Sequence, residues 1–141
     1  MALKQNLRLS FRSELLNAKQ AVMKILNFLC GASPGLTFEE QADLRLVFSE
    51  LLYNAVVHGN NGDSNKRVYL EVEFEDGIVI GRVADEGSGF DYNELLKHID
   101  DDDLFDECGR GIRLVYSLTD ELFFNIAGNV IHFHKRVAAH G

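Results

Sequence analysis

The 141-residue sequence predicts an α/β (α+β) protein built as a two-layer sandwich, with helices covering one face of a mixed, mostly antiparallel sheet. Several short segments alternate apolar and polar residues, which is the period of a half-buried strand. Two longer segments have the spacing of amphipathic helices. Asp76-Gly77 and Gly128-Asn129 are turn signals that join neighbouring strands into hairpins. We therefore expect one domain over residues 1–141, with about five strands and two long helices.

The first part of the chain predicts a strand followed by the two long helices. Residues 3–11 alternate apolar and polar side chains, and residues 13–30 have helical spacing. Thr37 and Glu40 form a capping-box pattern, so a second helix is predicted from Thr37 to about residue 58. Its core-facing stripe is predicted to be Leu44, Val47 or Phe48, Leu51 and Ala55.

The middle of the chain predicts a β-hairpin whose register can be read from its turn. If Asp76-Gly77 is a two-residue turn, Glu75 lies opposite Ile78, and continuing the ladder places Val68 opposite Asp85. Directly opposed residues share a face of a sheet. Asp85 is therefore predicted to point toward the apolar core.

The last third of the chain predicts irregular structure and a closing hairpin. A short helix is expected after Phe90, within the acidic segment 86–111, and a second one over residues 112–118. Residues 121–127 and 130–137 then form two strands that turn at Gly128-Asn129.

The charge and cysteine content exclude several classes of protein. Acidic residues outnumber basic ones, 22 to 14, and the net charge is −8, which argues against nucleic-acid binding and anionic membrane surfaces. Cys30 and Cys108 lie far apart and match neither a zinc site nor a disulfide framework. No segment has the ~20 apolar residues of a membrane helix. We therefore expect a cytoplasmic protein without membrane contact.

The first candidate for chemistry is the end of the second helix. Glu50, Asn54 and His58 are spaced four residues apart, so on an α-helix they form one polar stripe. A carboxylate and an amide oxygen one turn apart can hold a hydrated Mg²⁺. The alternative is a solvated face that binds nothing.

The second candidate is Asp85-x-Gly87-x-Gly89, directly after a strand. The glycines allow the chain to turn sharply and to approach a flat ligand closely. A carboxylate that points into the core needs a donor, and an adenine amino group is a suitable one. The alternative is a carboxylate that only ties down its own loop.

The third candidate is Gly109-Arg110-Gly111, which opens a short helix. Free amides at a helix N-terminus bind anions, and Arg110 could add a charge-assisted bond to a phosphate. The alternative is a simple hinge before the helix.

Taken together and in this order, the three motifs resemble those of the GHKL (Bergerat-fold) ATPases. Residues 50–59 are similar to the N box, residues 85–90 to the first glycine box, and residues 109–112 to the second. The segment before Thr37 contains no His that could be a phosphoacceptor. This favours the bacterial anti-sigma-factor serine/threonine kinases over sensor histidine kinases.

The resemblance implies a role for each matching residue. Asn54 would bind Mg²⁺ between the nucleotide phosphates, Glu50 would act as general base, and Asp85 would accept the adenine amino group of ATP. The remaining residues implied at the nucleotide site are His58, Gly87, Gly89, Gly109, Arg110 and Gly111, and the lid would span about residues 91–108.

The resemblance also implies partners. The enzyme would transfer the γ-phosphate of ATP to a Ser or Thr of an anti-anti-sigma factor, bind a sigma factor, and form a homodimer. Two other functions fit the same motifs. One is a nucleotide-binding regulatory module without catalysis, and the other is a switch kinase that acts on a scaffold protein.

Overall fold

The fold is a single antiparallel sheet with helices packed on one face, and the predicted fold class is confirmed. The computed structural model describes residues 4–89 and 107–137, and for residues 107–110 it describes the backbone alone. Within these residues the sheet has five strands in the order β1-β2-β3-β5-β4, and every pairing is antiparallel. The strands are β1 (Gln5–Arg12), β2 (Arg67–Glu75), β3 (Ile78–Ala84), β4 (Glu121–Phe124) and β5 (Val130–Arg136).

Two long helices follow β1, as predicted, and a third precedes β4. They are α1 (Leu15–Ala32), α2 (Phe38–Tyr53) and α3 (Glu107–Leu118), and α2 continues into a π-helical turn (Asn54–Gly59). Within the described residues, no helix is both long enough and apolar enough to span a membrane.

The core lies between the helices and the inner face of the sheet. The predicted stripe of α2 is confirmed, because all five of its candidate residues are buried, with both Val47 and Phe48 in the core. The Phe48 ring meets the Phe133 ring of β5 edge-on, at 5.2 Å between centroids. Gly81 of β3 lies under both rings, where a side chain would overlap them. This close contact presses α2, which carries the first candidate motif, onto the centre of the sheet.

The predicted register of the β2–β3 hairpin is confirmed. Glu75 pairs with Ile78, and the ladder runs back to Tyr69 opposite Ala84. Asp76 and Gly77 both have positive φ, 53° and 74°, as a two-residue hairpin turn of the left-handed kind requires. Asp85 is the next residue after this ladder. The register that the turn residues set therefore determines to which face of the sheet the Asp85 side chain points.

Two boundaries differ from the predictions. Strand β4 ends at Phe124 and not at residue 127, because the Asn125 side chain accepts hydrogen bonds from the N–H groups of Asn129 and Val130 and closes a wider loop. Helix α3 begins at Glu107 and not near residue 112. The short helix predicted after Phe90 lies outside the described residues.

The N-terminus of α2 has the predicted capping box. The Thr37 hydroxyl accepts the Glu40 N–H at 3.1 Å, and the Glu40 carboxylate accepts the Thr37 N–H at 2.9 Å. Two backbone donors that the helix itself cannot satisfy are thereby paired.

Removing this cap should destabilise the domain moderately. We expect Thr37→Ala to lower the free energy of unfolding by about 1 kcal/mol, since one capping acceptor is lost. Urea unfolding followed by circular dichroism measures the change. Ser64→Ala, at an exposed loop residue, is the control, and equal losses in the two variants would contradict a specific role of the cap.

Candidate functional site

The helix that carries Glu50 changes its geometry at the next candidate residue. Helix α2 ends at Tyr53, and Asn54–Gly59 form a π-helical turn. A π-turn is wider than an α-turn and is frequently found at functional sites. The Asn54 N–H still donates to the Glu50 carbonyl, so these two residues keep α-helical spacing, whereas residues four apart within the π-turn no longer share a face.

Asn54 is buried with an unpaired side chain. It is only 3% exposed, and neither its amide nitrogen nor its amide oxygen has a hydrogen-bond partner in the described part of the chain. A buried amide without partners costs free energy, and native proteins rarely leave one so. The solvated-face alternative therefore does not hold for Asn54, whose oxygen is available to a ligand.

Gly111 of α3 lies directly against Glu50 and Asn54. A Cβ at Gly111 would overlap the Glu50 carboxylate and would lie 3.7 Å from the Asn54 amide nitrogen. The glycine leaves room above the two polar side chains. The structure thus brings the first and third candidate motifs together, although about sixty residues separate them in the sequence.

The single polar stripe predicted for Glu50, Asn54 and His58 is not observed. Glu50 is half-buried and Asn54 buried, whereas His58 is exposed with its ring edge-on to the Tyr53 ring, 6.0 Å away between centroids. The π-turn is the cause, because it shifts His58 away from the face that Asn54 occupies. A role of His58 at the nucleotide stays a prediction.

Asp85 lies at the end of β3 and faces the core side of the sheet. It lines a small cavity of about 10 Å³ with Val83, Leu51, Ala55 and Ile131. Leu51 and Ala55 are immediate neighbours of Glu50 and Asn54 in α2 and the π-turn. A cavity of this size has room for about one water at most.

The Asp85 backbone and side chain are held in place by their neighbours. Its N–H donates to the Asn129 carbonyl at 3.0 Å, and its Oδ1 accepts the Gly87 N–H at 2.8 Å. The alternative that Asp85 ties down its own loop is therefore also observed. The bond to Gly87 engages Oδ1 and leaves Oδ2 on the side of Gly59.

Glycines allow the loop after β3 to touch the end of the π-turn. A side chain at Gly87 would overlap the Gly59 carbonyl, and one at Gly59 would overlap the Asp85 carboxylate. Gly89 has a φ of 97° and packs on the Ala127 carbonyl in the β4–β5 loop. The second candidate motif thus packs backbone to backbone against the end of the first.

The third motif differs from its prediction. Gly109, Arg110 and Gly111 lie inside the first two turns of α3 and do not precede the helix, because the helix begins at Glu107. The Arg110 side chain and residues 90–106, which include most of the predicted lid, lie outside the described residues. Phosphate binding by Arg110 and the amides of 109–111 stays a prediction.

A large apolar groove opens beside Glu50. It has a volume of about 930 Å³ and is lined by the three helices α1, α2 and α3. Glu50 and Gly111 line it together with the exposed side chains of Leu16 and Met23 of α1. Glu50 therefore lies at the wall of a groove that apolar side chains of the three helices mainly line.

Sequence reasoning missed two asparagines that organise the second motif. Asn60 is fully buried and bonds the Glu86 N–H, and Asn129 bonds Asp85. Both stand in polar segments that predict exposed turns, so no local signal distinguishes them from surface residues. Asn60 is buried and Asn129 half-buried because each contacts the loop after β3, which is distant from both in the sequence.

Burial raises the pKa of the Asp85 carboxyl above its ordinary value, while the Gly87 N–H and the charge of Lys66 act in the opposite direction. The folded state then holds this proton more tightly than the unfolded state, so stability falls as pH rises from the unfolded to the folded pKa. The Asp85→Asn variant has no carboxyl group at this position, so its stability lacks this dependence on pH.

We therefore expect the stability of Asp85→Asn relative to the natural protein to increase as pH rises from about 4 toward 8. Urea unfolding of both proteins across this range measures the difference. A difference that does not change with pH would contradict a raised pKa.

The donor set suits Mg²⁺ and a nucleotide better than a transition metal. The described residues contain no group of three or more His, Cys, Asp or Glu that could hold a metal ion by themselves. An unpaired amide oxygen near a carboxylate matches the way Mg²⁺ is held, by one or two protein oxygens with substrate phosphates completing its shell. The residues present therefore fit a metal that arrives with its nucleotide.

Comparison with known proteins identifies the class. The family model of the histidine kinase-like ATPase domain matches residues 11–135, so the chain belongs to this family. Among the individual relatives, the anti-sigma F factor of Geobacillus thermodenitrificans (strain NG80-2) is 31% identical to this chain over 144 residues. The matched region covers 94% of this chain and 92% of that protein. The anti-sigma F factor of Geobacillus kaustophilus (strain HTA426) is 30% identical, with the same coverage of both chains. That of Priestia megaterium is 29% identical over 85% of this chain and 82% of its own. The predicted resemblance is confirmed.

Proposed function

We propose that this protein is an ATP-binding anti-sigma factor that phosphorylates a Ser or Thr of an anti-anti-sigma partner. The observation that carries the proposal is the buried, unpaired Asn54 side chain beside Glu50, with the side-chain-free Gly111 above them. Membership of the histidine kinase-like ATPase family supports ATP as the nucleotide.

The adenine end of the site is formed by Asp85 and its glycines. The Asp85 carboxylate accepts the adenine amino group, while Gly87 and Gly89 let the loop that carries it pack against Gly59 and Ala127. The bond from the Asp85 N–H to the Asn129 carbonyl fixes the backbone, and the bond from the Gly87 N–H to Oδ1 keeps the carboxylate from turning away. An acceptor held in one position favours adenine over bases that lack an amino group there.

The phosphate end is formed by Asn54 and the start of α3. The Asn54 amide oxygen would hold Mg²⁺, which neutralises charge on the phosphates when bound. Amides in the first turn of α3, near Gly109–Gly111, would bind phosphate oxygens. Phosphoryl transfer depends mainly on such positioning and charge neutralisation, so few further groups are needed.

Glu50 is the proposed general base. It accepts the proton of the incoming hydroxyl, the hydroxyl oxygen forms a bond to the γ-phosphorus, and the bond from that phosphorus to the β-γ bridging oxygen breaks to release ADP. The hydroxyl would come through the groove that Glu50 lines. A carboxylate at the wall of an apolar groove suits a protein substrate, because a protein segment that covers the groove would exclude water from the reacting group.

The proposed protein partners are inferred from the names of the similar proteins. Those proteins are named anti-sigma F factors, which supports a sigma factor as the sequestered partner here. We further propose that the protein acts as a homodimer in the cytoplasm. Exchange between the sigma factor and the anti-anti-sigma factor would then regulate transcription.

The test is a transfer assay with the purified chain, γ-labelled ATP, Mg²⁺ and a candidate anti-anti-sigma factor. We expect label on a Ser or Thr of the partner, identified by mass spectrometry. ATP binding without any transfer would contradict the kinase proposal and leave a non-catalytic regulatory module. Label on a scaffold protein and not on an anti-anti-sigma factor would indicate a switch kinase.

A further inference from the structure

Asn60 is a buried polar residue to which the proposed mechanism assigns no role. It follows the π-turn directly and is 0% exposed. A buried asparagine is costly unless its amide is fully engaged by neighbours. The segment around it, residues 59–65, is polar and otherwise largely exposed, so burial of this one side chain needs a specific cause.

Three hydrogen bonds join Asn60 to three different segments. Its backbone N–H donates to the Ala55 carbonyl at 2.8 Å and closes the π-turn. Its side-chain nitrogen donates to the Arg67 carbonyl at 3.0 Å, at the start of β2. Its side-chain oxygen accepts the Glu86 N–H at 2.8 Å, in the loop after β3. The residue thus bonds the turn that carries Asn54 to the loop that carries Asp85.

The bond to Glu86 completes the support of Asp85. The N–H of Asp85 is held by the Asn129 carbonyl, and the N–H of the next residue is held by Asn60. The Gly87 N–H is held by Asp85 itself. The N–H groups of residues 85, 86 and 87 therefore each have a hydrogen-bond acceptor. Of these three acceptors, the one for Glu86 belongs to Asn60, in the segment after the π-turn.

We infer that Asn60 is a positioning residue for adenine recognition, which it controls by setting the Asp85 carboxylate relative to Asn54. This inference rests on the proposed nucleotide site. Without the Asn60 side chain, Glu86 loses its acceptor, and among the described residues the loop after β3 keeps only packing contacts with the π-turn, those of Gly87 and of the Asp85 carboxylate with Gly59. Asp85 keeps its own bonds to Asn129 and Gly87, but the loop that carries it can then shift relative to the π-turn. The carboxylate therefore moves against the base, while the phosphate end is unaffected.

The experiment measures ADP and IDP binding by calorimetry in Mg²⁺, because IDP lacks the amino group that Asp85 would accept. The variants are Asn60→Ala, Asn60→Asp and the control Asn65→Ala, an exposed asparagine of the same loop. Asn60→Asp keeps an oxygen that can accept the Glu86 N–H but loses the donor to Arg67. Circular dichroism at the measuring temperature establishes which variants are folded.

We expect the ratio of ADP affinity to IDP affinity to be at least about tenfold smaller in Asn60→Ala than in the natural protein, since a small displacement of a recognition group has large effects. The loss should come from weaker ADP binding, with IDP binding unchanged. Asn60→Asp and Asn65→Ala should keep the preference. A lower unfolding temperature with an unchanged ADP/IDP ratio in Asn60→Ala would overturn the inference, because Asn60 would then only stabilise the fold.

Failure of the proposed function gives a different result. If the natural protein binds neither nucleotide, or binds both equally, the nucleotide site itself is wrong and the role of Asn60 falls with it. If Asn60→Ala does not fold, hydrogen exchange of the natural protein decides. A Glu86 amide whose exchange ADP slows more than IDP does supports the inference, and one that both nucleotides slow equally or leave unchanged overturns it, because protection alone would also follow from a purely structural bond.

Discussion

Asp85→Asn should abolish high-affinity nucleotide binding while leaving the domain folded. Oδ1 of Asp85 accepts the Gly87 N–H, so the Asn side chain will keep its oxygen there. Its NH₂ group then replaces the free carboxylate oxygen and faces the adenine amino group, donor against donor. Sites built to bind one hydrogen-bonding pattern reject the opposite one strongly, and we expect ADP affinity to fall by about 100-fold or more.

Calorimetry with ADP and Mg²⁺ measures this loss, and urea unfolding shows that the variant is folded. Asp76→Asn is the matched control, since it removes one exposed acidic charge at the opposite end of β3, at a φ that asparagine also adopts. ADP affinity within about threefold of the natural value in Asp85→Asn would exclude Asp85 as the adenine acceptor.

Glu50→Gln should separate nucleotide binding from phosphoryl transfer. Glutamine has the shape of glutamate but cannot accept a proton, and positioned general bases contribute about 10²- to 10⁴-fold to a rate. We expect transfer to the partner hydroxyl to fall by that factor, with ADP affinity nearly unchanged. Single-turnover transfer from γ-labelled ATP isolates the chemical step from product release.

Glu39→Gln is the control for this second experiment, because it removes an exposed carboxylate from the first turn of the same helix. A Glu50→Gln protein that transfers phosphate at the natural rate would exclude Glu50 as the base. Loss of ADP binding in the same variant would instead assign Glu50 to nucleotide binding.

Local sequence signals were sufficient for most of the architecture. The turn residues Asp76 and Gly77 predicted the β2–β3 register, and with it the position of Asp85 at the end of β3. Thr37 and Glu40 predicted where α2 begins. These features depend on interactions between residues that are neighbours in the chain, so a short stretch of sequence is enough to predict them.

The same signals predicted the three motifs but not their detailed geometry. The helical spacing of Glu50, Asn54 and His58 assumed an α-helix, and nothing in those residue types indicates a π-turn. The burial of Asn54 requires the surrounding parts of the fold, which are distant in sequence. Its unpaired amide, the main support for the site, is therefore visible only in the folded chain.

What the sequence by itself determined is the order of strands and helices, the alternation that builds the core, and the family to which the motifs belong. What only the tertiary structure decided is which polar groups lie together: the Asn54 and Glu50 side chains beside Gly111, and the Asn60 side chain with the Glu86 N–H next to Asp85. The reason is that a polar residue in a loop has the same local pattern whether it faces water or another segment. Only the packing of distant segments determines which of the two surrounds it.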